Sequence, residues 1–122
     1  MARNLMASLS TPAFLVDEQG VLVFYNDAAG KFLGMRFEEA GRMPPEEWST
    51  AFGPFERDGR QVPIEELPLT IALRKGRPHH ASLRIRSLDG SEHDIQASAF
   101  PILTAGGSRG AMAIFWPAEE EE

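Results

Sequence analysis

Ala13-Phe14-Leu15-Val16-Asp17-Glu18-Gln19-Gly20-Val21-Leu22-Val23-Phe24-Tyr25-Asn26-Asp27-Ala28-Ala29 decides how this chain is read. Two short apolar runs, rich in Val and Phe, flank an Asp-Glu-Gln-Gly turn, which predicts a β-hairpin. Asp17 can accept a hydrogen bond from its own backbone two residues on, and Gly20 can take a positive φ without steric cost. Asn26 and Asp27 are both good helix N-caps, so a short helix is expected over Ala28-Ala29-Gly30-Lys31-Phe32-Leu33, ending at Gly34.

Outward from the hairpin, residues 4–11 read as a short helix with Leu5, Met6 and Leu9 as its apolar stripe, stopped by Pro12. Beyond Gly34 the chain changes character. Met35, Phe37, Met43, Trp48, Phe52 and Phe55 are interleaved with Gly41, Pro44, Pro45, Gly53 and Pro54. This predicts short helices and turns, because so many large apolar groups would not be left in water. Pro45 to Phe52 starts as a helix does, with proline and two acids in its first turn. The longest helix is expected over Ile64–Lys75, with Leu69, Ala72 and Leu73 on one face and Gly76 as its C-cap.

The last third reads as strands. In His80–Arg86, Ala81, Leu83 and Ile85 alternate with Ser82, Arg84 and Arg86, the two arginines expected to face solvent. Asp89-Gly90 signals a hairpin. His93–Ile102 continues with Ile95, Ala97 and Ala99 opposite Asp94, Gln96 and Ser98. Ala111–Trp116 is apolar on both faces, as a central or doubly covered strand is. Strands, then helices, then strands imply an α+β domain with an antiparallel sheet.

Composition bounds the function. The 122 residues are one domain's worth, 43% apolar and 25% charged, with no cysteine and a net charge of −6. The absence of cysteine excludes disulfides, thiolate metal sites and cysteinyl–flavin adducts. The negative charge argues against nucleic acid as a partner. The Glu119–Glu122 run reads as a solvated terminus. No apolar run is long enough to span a bilayer, and the first residues lack the apolar core of a signal peptide, so no membrane is expected and the cytoplasm is the expected location.

The order of elements and several short motifs resemble the PAS family, a sensory and interaction module. The hairpin followed by Asn26-Asp27-Ala28 is one such motif. Asp58-Gly59-Arg60-Gln61-Val62-Pro63, then Glu66-Leu67-Pro68-Leu69 and Ala72-Leu73, resembles the run before and along the long helix of many bacterial PAS sensors. Asp89-Gly90 with Ala97-Ser98-Ala99-Phe100-Pro101-Ile102 resembles the family's strand pattern, and Gly106-Gly107 with Gly110-Ala111-Met112 its lead into the last strand. The resemblance implies a five-stranded antiparallel sheet with the first two strands central beside the last. Short helices and one longer helix would cover one face and enclose a small cavity. It divides the chain into a cap helix (residues 1–12), a PAS domain (13–117) and an acidic tail (118–122). Many PAS domains end in an Asp-Ile-Thr run that leads to an output helix. Phe115-Trp116-Pro117-Ala118 stands there instead, which argues against a fused C-terminal effector.

A small apolar ligand is therefore expected in a cavity bordered by Phe24, Phe32, Trp48, Phe52, Phe55, Leu69, Leu73, Ile85, Ala99 and Met112. Trp48, Phe52 and Phe55 recur at i, i+4 and i+7. They read first as core, and secondly as a cavity wall. Haem is not expected, because residues 64–75 hold no histidine, nor flavin, because the Asn-Cys-Arg-Phe run of flavin photosensors is absent, nor a metal. His79, His80 and His93 are the only histidines. An enzyme of unknown chemistry built on them is the alternative, but His93 and Asp94 face opposite ways on one strand, and no Gly-x-Ser-x-Gly elbow exists. The favoured expectation is a non-enzymatic homodimer, with residues 1–12 packed on the outer sheet face around Ile114 and Trp116.

Overall fold

The hairpin forms as its residues dictate. In a computed structural model that describes residues 11–103, 107 and 109–118, β1 (Ala13–Asp17) turns into β2 (Leu22–Tyr25). Asp17 Oδ1 accepts from the amides of Gln19 and Val21, both at 3.0 Å, and Gly20 takes a φ of 83°. The helix expected after it is α1 (Asp27–Leu33), capped by Asn26 at its start and by Gly34, in the left-handed region, at its end. Two more short helices follow, α2 (Phe37–Ala40) and α3 (Pro45–Ala51). The helix predicted over residues 4–11 lies outside the described residues, as do Glu119–Glu122.

The longest predicted helix divides in two. Ile64–Glu66 is a 3-10 turn, Leu67 is extended with ψ 142°, and α4 runs over Pro68–Lys75. The proline ring disfavours helical ψ in the residue before it, so Pro68 opens a helix and cannot sit inside one that began at Ile64. Gly76 caps its end as expected.

β3 (His79–Arg86), β4 (Glu92–Leu103) and β5 (Arg109–Pro117) complete a five-stranded antiparallel sheet of order β2-β1-β5-β4-β3. One implied feature is corrected. β1 lies beside β5, but β2 is an edge strand. It pairs with β1 alone, apart from a bridge between Leu22 and Met43. The central place of β5 explains its two apolar faces. Gly110 sits so close to β1 that a Cβ there would lie 2.7 Å from the Val16 carbonyl oxygen.

The two faces of the sheet carry different side chains. Phe14, Val16, Leu83, Ile85, Ile95, Ala97, Ala99, Ala111, Ala113 and Phe115 point toward the helices and join Trp48, Phe52, Leu67, Leu69 and Ala72 in the main core. Aromatic rings lock this layer. Phe14 meets Tyr25 and Phe115 at centroid distances of 5.6 and 5.4 Å, and Phe32 meets Phe115 edge-on at 5.2 Å. A second cluster, Ala13, Leu15, Phe24 and Met112, lies on the opposite face, with Val23, Phe37, Phe100, Ile102 and Ile114 half-buried beside it.

Candidate functional site

Between sheet and helices the packing is nearly complete. α3 is held against the hairpin by the Trp48 indole, whose Nε1 donates to the Gly20 carbonyl at 3.0 Å. Beneath it a void of about 30 Å³ remains, lined by Phe14, Trp48, Pro54, Leu67, Pro68, Leu69, Ala97 and Ala113. A water needs some 10–15 Å³ of such space, whereas ligand pockets run to ~300–1,000 Å³. As packed, the void is smaller than a haem or a flavin.

Of the ten expected cavity residues, Trp48 and Leu69 line this void. Phe52, Ile85 and Ala99 lie in the core around it. Phe32 and Leu73 pack half-buried against that core, with Phe32 also edge-on to His93 at 4.8 Å. Three others are elsewhere. Phe24 and Met112 belong to the outer cluster, because Phe24 stands opposite Leu15 and Met112 opposite both Leu15 and Phe100. The strand alternates faces at every residue, and a register shift after Leu15 lets the apolar run Leu22–Tyr25 distribute to both sides. Phe55 does not continue the face of α3, since α3 ends before the cis Gly53–Pro54 peptide. Phe55 instead bridges the β3 backbone at Arg84, with the Arg86 guanidinium 4.4 Å from its ring centre. Phe14, Ala97 and Ala113 line the void without having been expected there. Their inward alternation was readable, but small side chains do not announce a cavity wall.

Arg84 and Arg86 do not simply face solvent. Arg84 Nε donates to Asp94 Oδ1 at 2.9 Å and its Nη1 reaches Glu92 at 3.4 Å. Arg57 takes the other Asp94 oxygen at 3.1 Å. The hydrogen bond from Arg84 chiefly holds the Asp94 carboxyl below the usual carboxylate range.

The histidines do not form a triad. His93 lies opposite Ile85, and Asp94 opposite Arg84, on the other face. Ser91 Oγ donates to Asp89 at 2.6 Å, and Ser87 Oγ donates to the Phe32 carbonyl at 2.6 Å. Both hydroxyl protons are thus committed, so His93 Nε2, 3.1 Å from Ser91 and 3.2 Å from Ser87, is the donor to both. That is the reverse of a general base drawing a proton from serine. The network ties the β3–β4 turn to the end of α1. His80 is held at the other end of β3, with its ring nitrogens 2.8 Å from Gln96 Oε1 and 3.0 Å from Ser98 Oγ. Among the described residues no group of three or more His, Asp or Glu could hold a metal ion. None of their helices is long and apolar enough to cross a membrane.

The outer sheet face is the other candidate. Its β3–β4 half is polar, with His80, Gln96 and Ser98. Toward β5, β1 and β2 it is apolar, with Leu15, Phe24 and Met112 buried and Phe100 and Ile114 half-buried. Trp116 stands at the boundary, 37% exposed and 6.0 Å from the His80 ring. The chain reaches β1 along this part of the sheet, since the Phe115 amide donates to the Pro12 carbonyl at 3.1 Å and Ala13 pairs with Ile114.

A family model described as PAS fold matches residues 6–122. No curated protein matches the chain. Among solved structures, the chain is similar to the PAS domain of BvgS from Bordetella pertussis (15% identity, TM-score 0.63, covering 98% of this chain and 83% of that one). It is similar to the PAS domain of an HTR-like protein from Haloarcula marismortui (15% identity, TM-score 0.67, 95% and 88%). The same holds for the PAS domain of nitrogen regulation protein NR(II) from Vibrio parahaemolyticus (12% identity, TM-score 0.65, 93% and 95%). Strand order, helical layer and the family match over almost the whole sequence agree, and the chain belongs to the PAS fold family.

Proposed function

We propose that this PAS domain is a non-enzymatic cytoplasmic signalling module that works by association, as a homodimer built on its outer sheet face. PAS domains are a family of sensory and signalling modules. The observation that carries the proposal is the outer face of β4 and β5, where Trp116 is exposed and Phe100 and Ile114 are half-buried beside the point where the chain enters β1. A contiguous apolar face of this kind favours pairing, and two-fold pairing buries the same patch on both copies. In this reading residues 1–12 pack over Ile114 and Trp116. A ligand on the helical side would contact Trp48 and Leu69. The void supports only a very small one unless those side chains move.

The test is light scattering on the intact chain and on Trp116→Glu at tens of micromolar. The intact protein is expected at twice 13.5 kDa and the variant at the monomer mass. A monomeric intact chain, or a variant that stays dimeric, refutes it.

A further inference from the structure

A second surface lies at the far end of the sheet, where the C-terminal end of α4 meets the β4–β5 hairpin. Leu73, Gly76, Pro101, Ile102, Leu103, Arg109 and Gly110 line an open groove of about 370 Å³ there. Its floor is aliphatic, and Leu103 is 73% exposed. Among the described residues no carboxylate lines it. Arg74, Lys75 and Arg77, all exposed, adjoin Leu73 and Gly76 in the chain, and Arg109 is in the lining itself. These are four of the chain's twelve Lys and Arg residues, in a protein of net charge −6. The ion pairs formed among the described residues involve Arg57, Arg60, Arg84 and Arg86, so these four cations have no acidic partner there.

Arg74 and Lys75 also suit the negative end of α4, but that end carries only about half an elementary charge. Arg77 and Arg109 lie outside the helix altogether. The surface therefore keeps a positive excess next to an unfilled apolar floor. From this we infer that the groove docks an acidic peptide segment of another protein, one that places a bulky apolar side chain on Leu73 and Leu103 and carboxylates on Arg74, Arg77 and Arg109.

The shape favours a peptide. The groove is concave, which suits an inserted side chain better than a flat lipid surface. Its cations extend beyond the lining, so a ligand with one carboxylate would meet Arg109 and leave the rest unused. The chain's own acidic tail cannot fill the groove in the same copy. Ala118 follows the far end of the nine-residue β5, about 30 Å from Arg109 at ~3.3 Å per residue. The four glutamates that follow reach at most ~14 Å. Electrostatic complementarity of this kind sets specificity and association rate, and it weakens with salt.

The experiment is fluorescence anisotropy of the full chain with a labelled ten-residue peptide bearing two leucines flanked by glutamates. Binding is expected at low salt. It should weaken at least tenfold in Arg74→Glu/Arg77→Glu, and again when the peptide leucines are replaced by serine. Leu103→Ser, an exposed change that leaves the fold intact, should also weaken it several-fold. Equal affinity for the charge-reversed protein, or for the serine peptide, overturns the proposal. So does charge-dependent binding to phosphatidylglycerol vesicles without peptide binding, which assigns the surface to a membrane. A dimer that Arg109→Glu dissociates would assign it to a second copy's tail.

Discussion

Replacing Asn26 with alanine tests the junction on which hairpin, helix and sheet converge. Asn26 is buried. Its Oδ1 accepts from the Ala13 amide at 3.1 Å and the Ala29 amide at 3.0 Å, while Nδ2 donates to the Thr11 carbonyl at 2.9 Å. Loss of the Ala29 bond removes the N-cap of α1, at about 1 kcal/mol. Loss of the Ala13 bond leaves a buried strand amide unpaired, at about 1–3 kcal/mol. Thr11 is only half-buried, so water can replace the third bond at a cost near 0.5 kcal/mol. The expected loss is about 2.5–4.5 kcal/mol, a fall in Tm of roughly 10–18 °C for a domain of this size. Urea denaturation followed by far-ultraviolet circular dichroism measures it, with the slope unchanged. A loss below about 1 kcal/mol for Asn26→Ala refutes the reasoning.

Ser49 lies buried in α3, and its Oγ has no hydrogen-bond partner among the described residues. Ser49→Ala removes that uncompensated hydroxyl and improves helix propensity, so it should stabilise by about 0.5–2 kcal/mol in the same urea assay; a destabilised variant contradicts this. Burial, aided by Glu38 and Glu39, pushes the Tyr25 phenol up to about 12 from 10.0, and its hydroxyl donates to the Met35 carbonyl at 2.6 Å. The folded state then holds its proton more tightly than the unfolded chain, so stability is whole below pH 10 and falls as pH rises toward 12, by at most about 2–3 kcal/mol. Tyr25→Phe should lack that decline relative to the parent, and parallel pH profiles for the two proteins would count against it.

Local chemistry alone determined much of this protein. The Asp17–Gly20 turn, the Asn26 cap, the Gly34 and Gly76 helix ends and the alternation of β3 and β4 follow from φ preferences and side-chain period. These act over a few residues and need no distant partner. With the order of elements they identify the α+β sheet and the family. What the tertiary structure decided depends on contacts far apart in sequence. Pro68 split the long helix by a rule that was readable locally. The faces of Phe24 and Met112 and the edge position of β2, in contrast, were set by which strand paired with which. Phe55 followed the bridge to Arg84, twenty-nine residues away, instead of the helical spacing it shares with Trp48 and Phe52. The volume left beneath Trp48 was likewise illegible. A cavity is the difference between two large volumes, and a ten-residue list of aromatic and aliphatic side chains describes a filled core as well as a pocket. The cationic groove at the end of α4 arises for the same reason. Residues 73–77, 101–103 and 109–110 are unremarkable in the chain, and only the return of β4 and β5 beneath the helix makes them one surface.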